Sequence, residues 1–142
     1  MNVAYIIGHV GLLIAFVIAS YVDLKKMEIP LWDFPSAAAV YIAAVFISGN
    51  KPDIYHVLGF LAPFVVMIVA SIAGNIGGGD IIMFSCTGFI LGLEELVPYM
   101  VFLTVCGIVL LAIFKFRNRM IPIAPLAGTA YILYLVWRCL YV

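Results

Sequence analysis

The chain has 142 residues, of which 67% are hydrophobic and only 10% charged. Soluble domains run about 45–50% apolar and about 25% charged, and a small water-soluble fold cannot hide such an apolar excess. These proportions exclude an ordinary soluble domain, a disordered chain and a nucleic-acid-binding module, which needs a basic surface. An integral membrane protein remains: six spans of about 20 residues use about 120 residues, leaving only short loops around a single transmembrane domain covering residues 1–142.

The predicted elements are six apolar helices. The first runs from Val3 to Ser20 and is followed by a polar stretch from Asp23 to Asp33. It has no basic segment ahead of it and no A-x-A-like site before Tyr21, so it is read as a span rather than a cleavable signal. The second, Phe34 to Ser48, is short and ends in the turn-forming run Gly49-Asn50-Lys51-Pro52-Asp53. The third extends from Ile54 to Ala73 with Pro63 inside it, and Gly74 to Gly79, with four glycines, interrupts the helical pattern. Ile81 to Leu93 forms the fourth, Glu94-Glu95 a minimal water-exposed turn, and Leu96 to Phe114 the fifth. A basic loop, Lys115 to Arg119, precedes the sixth, Ile123 to Trp137.

Cytoplasmic loops of membrane proteins carry the excess of Lys and Arg. With the N-terminus outside, Lys25, Lys26, Lys115, Arg117 and Arg119 fall on the cytoplasmic side, leaving Lys51 and Arg138 opposite. Both termini are therefore expected to be non-cytoplasmic. Asp23, after the first span, and Asp80, before the fourth, then share the cytoplasmic face.

Asp80 lies between Gly77-Gly78-Gly79 and Ile81-Ile82-Met83, and Lys51 is the only basic residue within thirty positions of it. An ionised carboxylate in hydrocarbon costs about 2.5–3.5 kcal/mol on insertion scales, so an acid without a local partner at a membrane edge points to function. Helix capping is the structural alternative and is compatible with it. Asp23 alone, beside Lys25, Lys26 and Glu28, reads equally as an ordinary interfacial acid. The pair carries the chemistry. Two carboxyls brought close do not both ionise cheaply, so one holds a proton near neutral pH. One can then act as a general base on water while the other polarises a carbonyl and protonates a leaving amine. The glycines allow close backbone approach, as an extended substrate strand requires; small residues also line helix packing surfaces.

The segment from Asp23 to Ile29-Pro30 resembles the first motif of type IV prepilin peptidases, and Gly77-Gly78-Gly79-Asp80 resembles their Gly-x-Gly-Asp motif, shared in short form with presenilins and signal peptide peptidases. Ile121-Pro122-Ile123-Ala124-Pro125 with Gly128 is similar to the opening of that family's last helix. The resemblance implies an intramembrane-type aspartic endopeptidase in the cytoplasmic membrane, with Asp23 and Asp80 as catalytic residues and Gly77, Gly78 and Gly79 as the active-site loop. Its partner would be a prepilin-like precursor (type IV pilin, tight-adherence pilin or archaellin) with a short basic leader, commonly ending in Gly, before an apolar helix. No cofactor, metal or nucleic acid is implied.

Leu31 and Ile82 stand where the family usually has Asn or Asp and often Lys, respectively; both bear on substrate preference and activity. The cysteine-rich insertion of larger family members, which also methylate the new N-terminus, has no counterpart here, so methyltransferase activity is not expected. Cys86, Cys106 and Cys139 are widely spaced within apolar runs and indicate neither a zinc site nor a disulfide framework. His9 and His56 are expected in the outer half of the bundle, away from the aspartates, and Met27 and Trp32 as interfacial anchors. Glu28 and Asp33 are read as a solvated loop, with attraction of a basic leader as the alternative. The competing functions are an inactive or scaffolding relative in pilus assembly and a small transporter using Asp80 beside a broken helix.

Overall fold

The computed structural model describes residues 3–74, 76–114 and 122–141. The described residues form five helices and no strand: α1 Val3–Lys26, α2 Asp33–Ile47, α3 Ile54–Ala73, α4 Gly78–Phe114 and α5 Ile123–Tyr141. The basic loop at Lys115 to Arg119, with Ile121, lies outside the described residues.

Helix α1 continues six residues beyond the predicted end at Ser20, so Asp23 sits on its last turns rather than in a loop. Lys25 and Lys26 complement the negative end of the helix dipole there. Met27 then takes a left-handed conformation, φ 53°, and turns the chain toward Ile29-Pro30. Asp53 caps the start of α3, its carboxylate accepting from the Ile54 N–H at 2.6 Å. Pro63 lacks the N–H that would bond the Gly59 carbonyl. Gly88 of α4 packs against that carbonyl so closely that a Cβ at Gly88 would stand 2.1 Å from the oxygen.

Helix α4 has 37 residues. Straight, it would measure about 55 Å, far beyond a hydrocarbon core of about 30 Å. It is not straight: Gly92 has φ 75° and ψ 163°, which breaks it into residues 78–91 and 93–114. The reversal expected at Glu94-Glu95 falls instead at Gly92, because only glycine readily occupies that region of φ/ψ space. The break is chemically sealed. His56 of α3 places Nδ1 2.8 Å from the carbonyl oxygen of Phe89, and its Nε2 lies 3.2 Å from the Tyr41 hydroxyl. The carbonyl freed by the broken helix therefore receives an N–H, and Nε2 accepts from the tyrosine. His56 is a structural residue at the end of the bundle remote from the aspartates.

Contacts fix the directions of the segments. Gly11 meets Ala37, and Gly8 meets Tyr41 and Ile90. Glu95 meets Tyr134, and the Tyr99 hydroxyl donates to the Ala127 carbonyl at 3.3 Å. Residues 78–91 thus run against α1, residues 93–114 run with it, and α5 runs against it. Among the described residues, four helices are long and apolar enough to cross a membrane; α2, with 15 residues, is shorter. Leu12, Phe16, Phe34, Met83, Ile90, Tyr99 and Tyr131 are buried at the centre. Val17, Ile47, Val66, Ile72 and Leu140 point outward and are exposed. Such an apolar exterior suits lipid rather than water.

Candidate active site

A cavity of about 690 Å³ opens at the end of the bundle where α1 finishes and α4 begins. Asp23, Glu28, Ile29, Gly77, Gly78, Gly79 and Asp80 line it, together with Met27, Leu31 and Ile123. The two aspartates, 57 positions apart in sequence, share one cavity. Pro30 follows Ile29 but does not face the cavity.

Each aspartate is placed by a helix N-terminus. Asp80 is the third residue of α4, and its carboxylate accepts from the Gly77 N–H at 3.3 Å. The Gly77 carbonyl in turn takes the N–H groups of Asp80 and Ile81 at 3.1 and 3.4 Å. This is the return half of a capping box; only one carboxylate oxygen is engaged in it. Asp23 is 5% exposed, and its Oδ2 accepts from the Ala124 N–H at 3.0 Å, in the first turn of α5. Pro122 and Pro125 have no N–H, so Ala124 is among the few donors available at that helix start. The positive ends of α4 and α5 thus both bear on the site.

The glycine segment is shaped by close contact rather than by looseness. A Cβ at Gly79 would fall 2.8 Å from the Ile29 Cβ and 2.9 Å from the Ile29 carbonyl oxygen. The first sequence motif therefore packs directly on the second. Gly78 faces open space, and Gly77 has only an ordinary contact with the Asp80 carboxylate. Gly128, in the last helix, brings α5 tightly against Phe16 of α1.

Two acidic positions differ from the sequence expectation. Glu28 is exposed at the cavity, but Asp33 is no solvated loop residue. It is 3% exposed, and neither carboxylate oxygen has a partner among the described residues. Docking of α2 against α1 carries its first residue inside. Glu95, expected in a water-exposed turn, instead gathers donors from two other helices, α1 and α5. The hydroxyls of Tyr5 and Tyr134 donate to Oε2 at 3.0 and 2.9 Å, Arg138 pairs with it at 2.5 Å, and His9 Nε2 lies 3.6 Å away. His9 also bonds Tyr131 through Nδ1. Glu94 beside it is exposed, as expected. This cluster, at the end opposite the aspartates, is invisible in the sequence because its members come from positions 5, 9, 95, 131, 134 and 138. Met27 and Ile123 also line the cavity without a direct sequence signal for it; the proline-flanked start of α5 is the nearest signal for the latter.

An all-helical chain with several membrane-length helices and two carboxyls in a cavity at one bundle end is a multi-pass membrane protein with the makings of an acid–base site. The family model for the type IV leader peptidase family matches residues 10–116, more than half of the sequence, and the chain belongs to that family. Membership carries proteolysis of the leader-peptidase type. The matched stretch includes both Asp23 and Asp80 and stops before α5. No curated protein and no solved structure matches the chain.

Proposed function

We propose that the protein is an aspartic endopeptidase that removes the short basic leader of prepilin-like precursors at the cytoplasmic face of the membrane, with Asp23 and Asp80 as the catalytic pair. The observation that carries this reading is the shared cavity of the two aspartates, each held at a helix N-terminus. In the reaction, the ionised carboxylate takes a proton from water as the water oxygen attacks the scissile carbonyl. The protonated carboxyl hydrogen-bonds to that carbonyl oxygen as negative charge develops there. Collapse breaks the C–N bond, and the departing amine takes up a proton from the pair. Gly77, Gly78 and Gly79 form the active-site loop beside it, and Ile29 packs on Gly79 from the other motif.

The same reading places six crossings in residues 1–142, a single domain, with both ends on the non-cytoplasmic side. It is supported by the reversal at Gly92, which lets α4 cross twice, and by the distribution of Lys and Arg. Methyl transfer is not part of the proposed activity. The test is incubation of membranes containing the protein with a precursor bearing a basic leader, followed by mass spectrometry of the product. A single cut at the leader–helix junction, leaving an unmethylated N-terminus, is expected. An uncut precursor would overturn the assignment.

A further inference from the structure

A second groove, of about 400 Å³, runs between α1 and α2. Val10, Ile14 and Ile18 form its α1 wall, Ala37 and Val40 its α2 wall, and Trp32 with Asp33 its end nearest the aspartate cavity. Val10, Ile14, Ile18, Val40 and Trp32 are all exposed. The groove is apolar except at that end. There the Ser36 hydroxyl is already committed to the Asp33 carbonyl at 2.8 Å, whereas the Asp33 carboxylate has no partner among the described residues and is 3% exposed. A buried carboxyl without partners costs free energy in proportion to its lost hydration. Its presence calls for a donor supplied from elsewhere. The groove and the aspartate cavity are joined by consecutive residues: Leu31 lines the cavity, and Trp32 and Asp33 line the groove.

We propose that this groove seats the apolar helix of the precursor and that Asp33 accepts from a cationic side chain of its leader, next to the bond that is cut. The inference rests on the peptidase reading above and names the residue that selects its substrate. Charge complementarity argues for this occupant. A basic leader followed by an apolar helix offers both a cation for the one carboxylate and an apolar surface for the walls. A lipid tail fills the walls and leaves Asp33 unpaired. Continuity argues the same way, because a helix in the groove delivers its N-terminal end past Asp33 to the cavity holding Asp23 and Asp80. Asp33 is thus a positioning residue; it does not touch the reacting atoms.

The experiment is a double-mutant cycle on precursor processing by the full-length protein in membranes. Asp33→Asn is paired with a precursor whose leader Lys and Arg are changed to Gln. Asp33→Asn should raise KM for the basic leader about tenfold, the scale of one charge-assisted hydrogen bond, with kcat nearly unchanged, and should have no further effect on the neutral leader. Equal losses on both leaders, or no loss on either, would overturn the assignment. A photo-reactive residue at Val40 in an Asp80→Asn background should trap the precursor; capture of only lipid or a second copy of the chain would overturn the groove. Wild-type protein that cuts the basic precursor without coupling at Asp33 defeats this inference alone. Wild-type protein that leaves it uncut defeats the peptidase reading itself.

Discussion

Asp23, on the last turns of α1, accepts a hydrogen bond from the backbone N–H of Ala124, 101 positions later, at 3.0 Å. This contact ties the carboxylate to the start of α5 and fixes which of its oxygens is left for the cavity. Asp23 therefore has a structural part that can be separated from any chemical one. Asp23→Asn retains an acceptor oxygen and removes a buried charge, so it should be at least as stable as the wild type. Asp23→Ala leaves the Ala124 N–H unsatisfied and should cost about 1 kcal/mol, as loss of a helix cap does. Thermal unfolding in detergent distinguishes the two.

Gly79 and Gly78 are neighbours with opposite expectations. Ala at Gly79 meets Ile29 at 2.8 and 2.9 Å, one contact being to backbone, so the two motifs must separate. Processing should fall at least about tenfold, the penalty expected when site geometry is displaced by a fraction of an ångström. Ala at Gly78 meets nothing within 4 Å and gains up to about 1 kcal/mol of helix propensity. Its processing rate should stay within about twofold of wild type on that basis. Measuring both variants in the precursor assay checks the contact, and equal effects would contradict it.

At Gly92, φ 75° and ψ 163° is a conformation that L-residues adopt only at a cost of order 1–3 kcal/mol. An added Cβ would also stand 3.4 Å from His56 Nδ1. Gly92→Ala should lower stability by about that amount, and His56→Phe, which removes the donor to the Phe89 carbonyl, by about 1–3 kcal/mol. The two sites share one contact, so the double variant should cost less than the sum.

Much of the architecture is legible in the chain because bilayer-spanning helices announce themselves by length and apolarity. Runs such as Ile54 to Ala73 match α3 end for end. Asp80 is conspicuous for a related reason: in an apolar chain, a carboxyl beside three glycines with no basic neighbour points to helix capping, to function or to both, and here it does cap the start of α4. The failures share one cause. Charge near a span end usually meets water, which on sequence alone places Glu95 and Asp33 in solvent, but what surrounds a charge is decided by tertiary packing. Glu95 is held by Tyr5, Tyr134 and Arg138, and Asp33 is covered when α2 docks. The break at Gly92 was similarly masked by the more polar Glu94-Glu95 pair two residues on.

That explanation predicts a stability role for Glu95. Glu95→Ala strips a partly exposed Arg138 of its ion partner and two tyrosine hydroxyls of their acceptor. Allowing for solvent screening of the partly exposed pair, a loss of about 1–3 kcal/mol is expected. Precursor processing at a permissive temperature should persist, because the cluster lies at the opposite end of the bundle from Asp23 and Asp80. A variant as stable as wild type would show that water, not the protein, satisfies Glu95.

The most direct test of the central claim is the initial rate of precursor cleavage by membranes containing wild type, Asp23→Asn, Asp80→Asn or the double variant, each verified as folded after detergent extraction. Asn conserves size and most hydrogen bonding but cannot exchange a proton with water or a leaving amine. Each single variant should lose essentially all cleavage, with the double variant scarcely worse, since groups that act as a unit are lost together. Full processing by either single variant would contradict the aspartic mechanism.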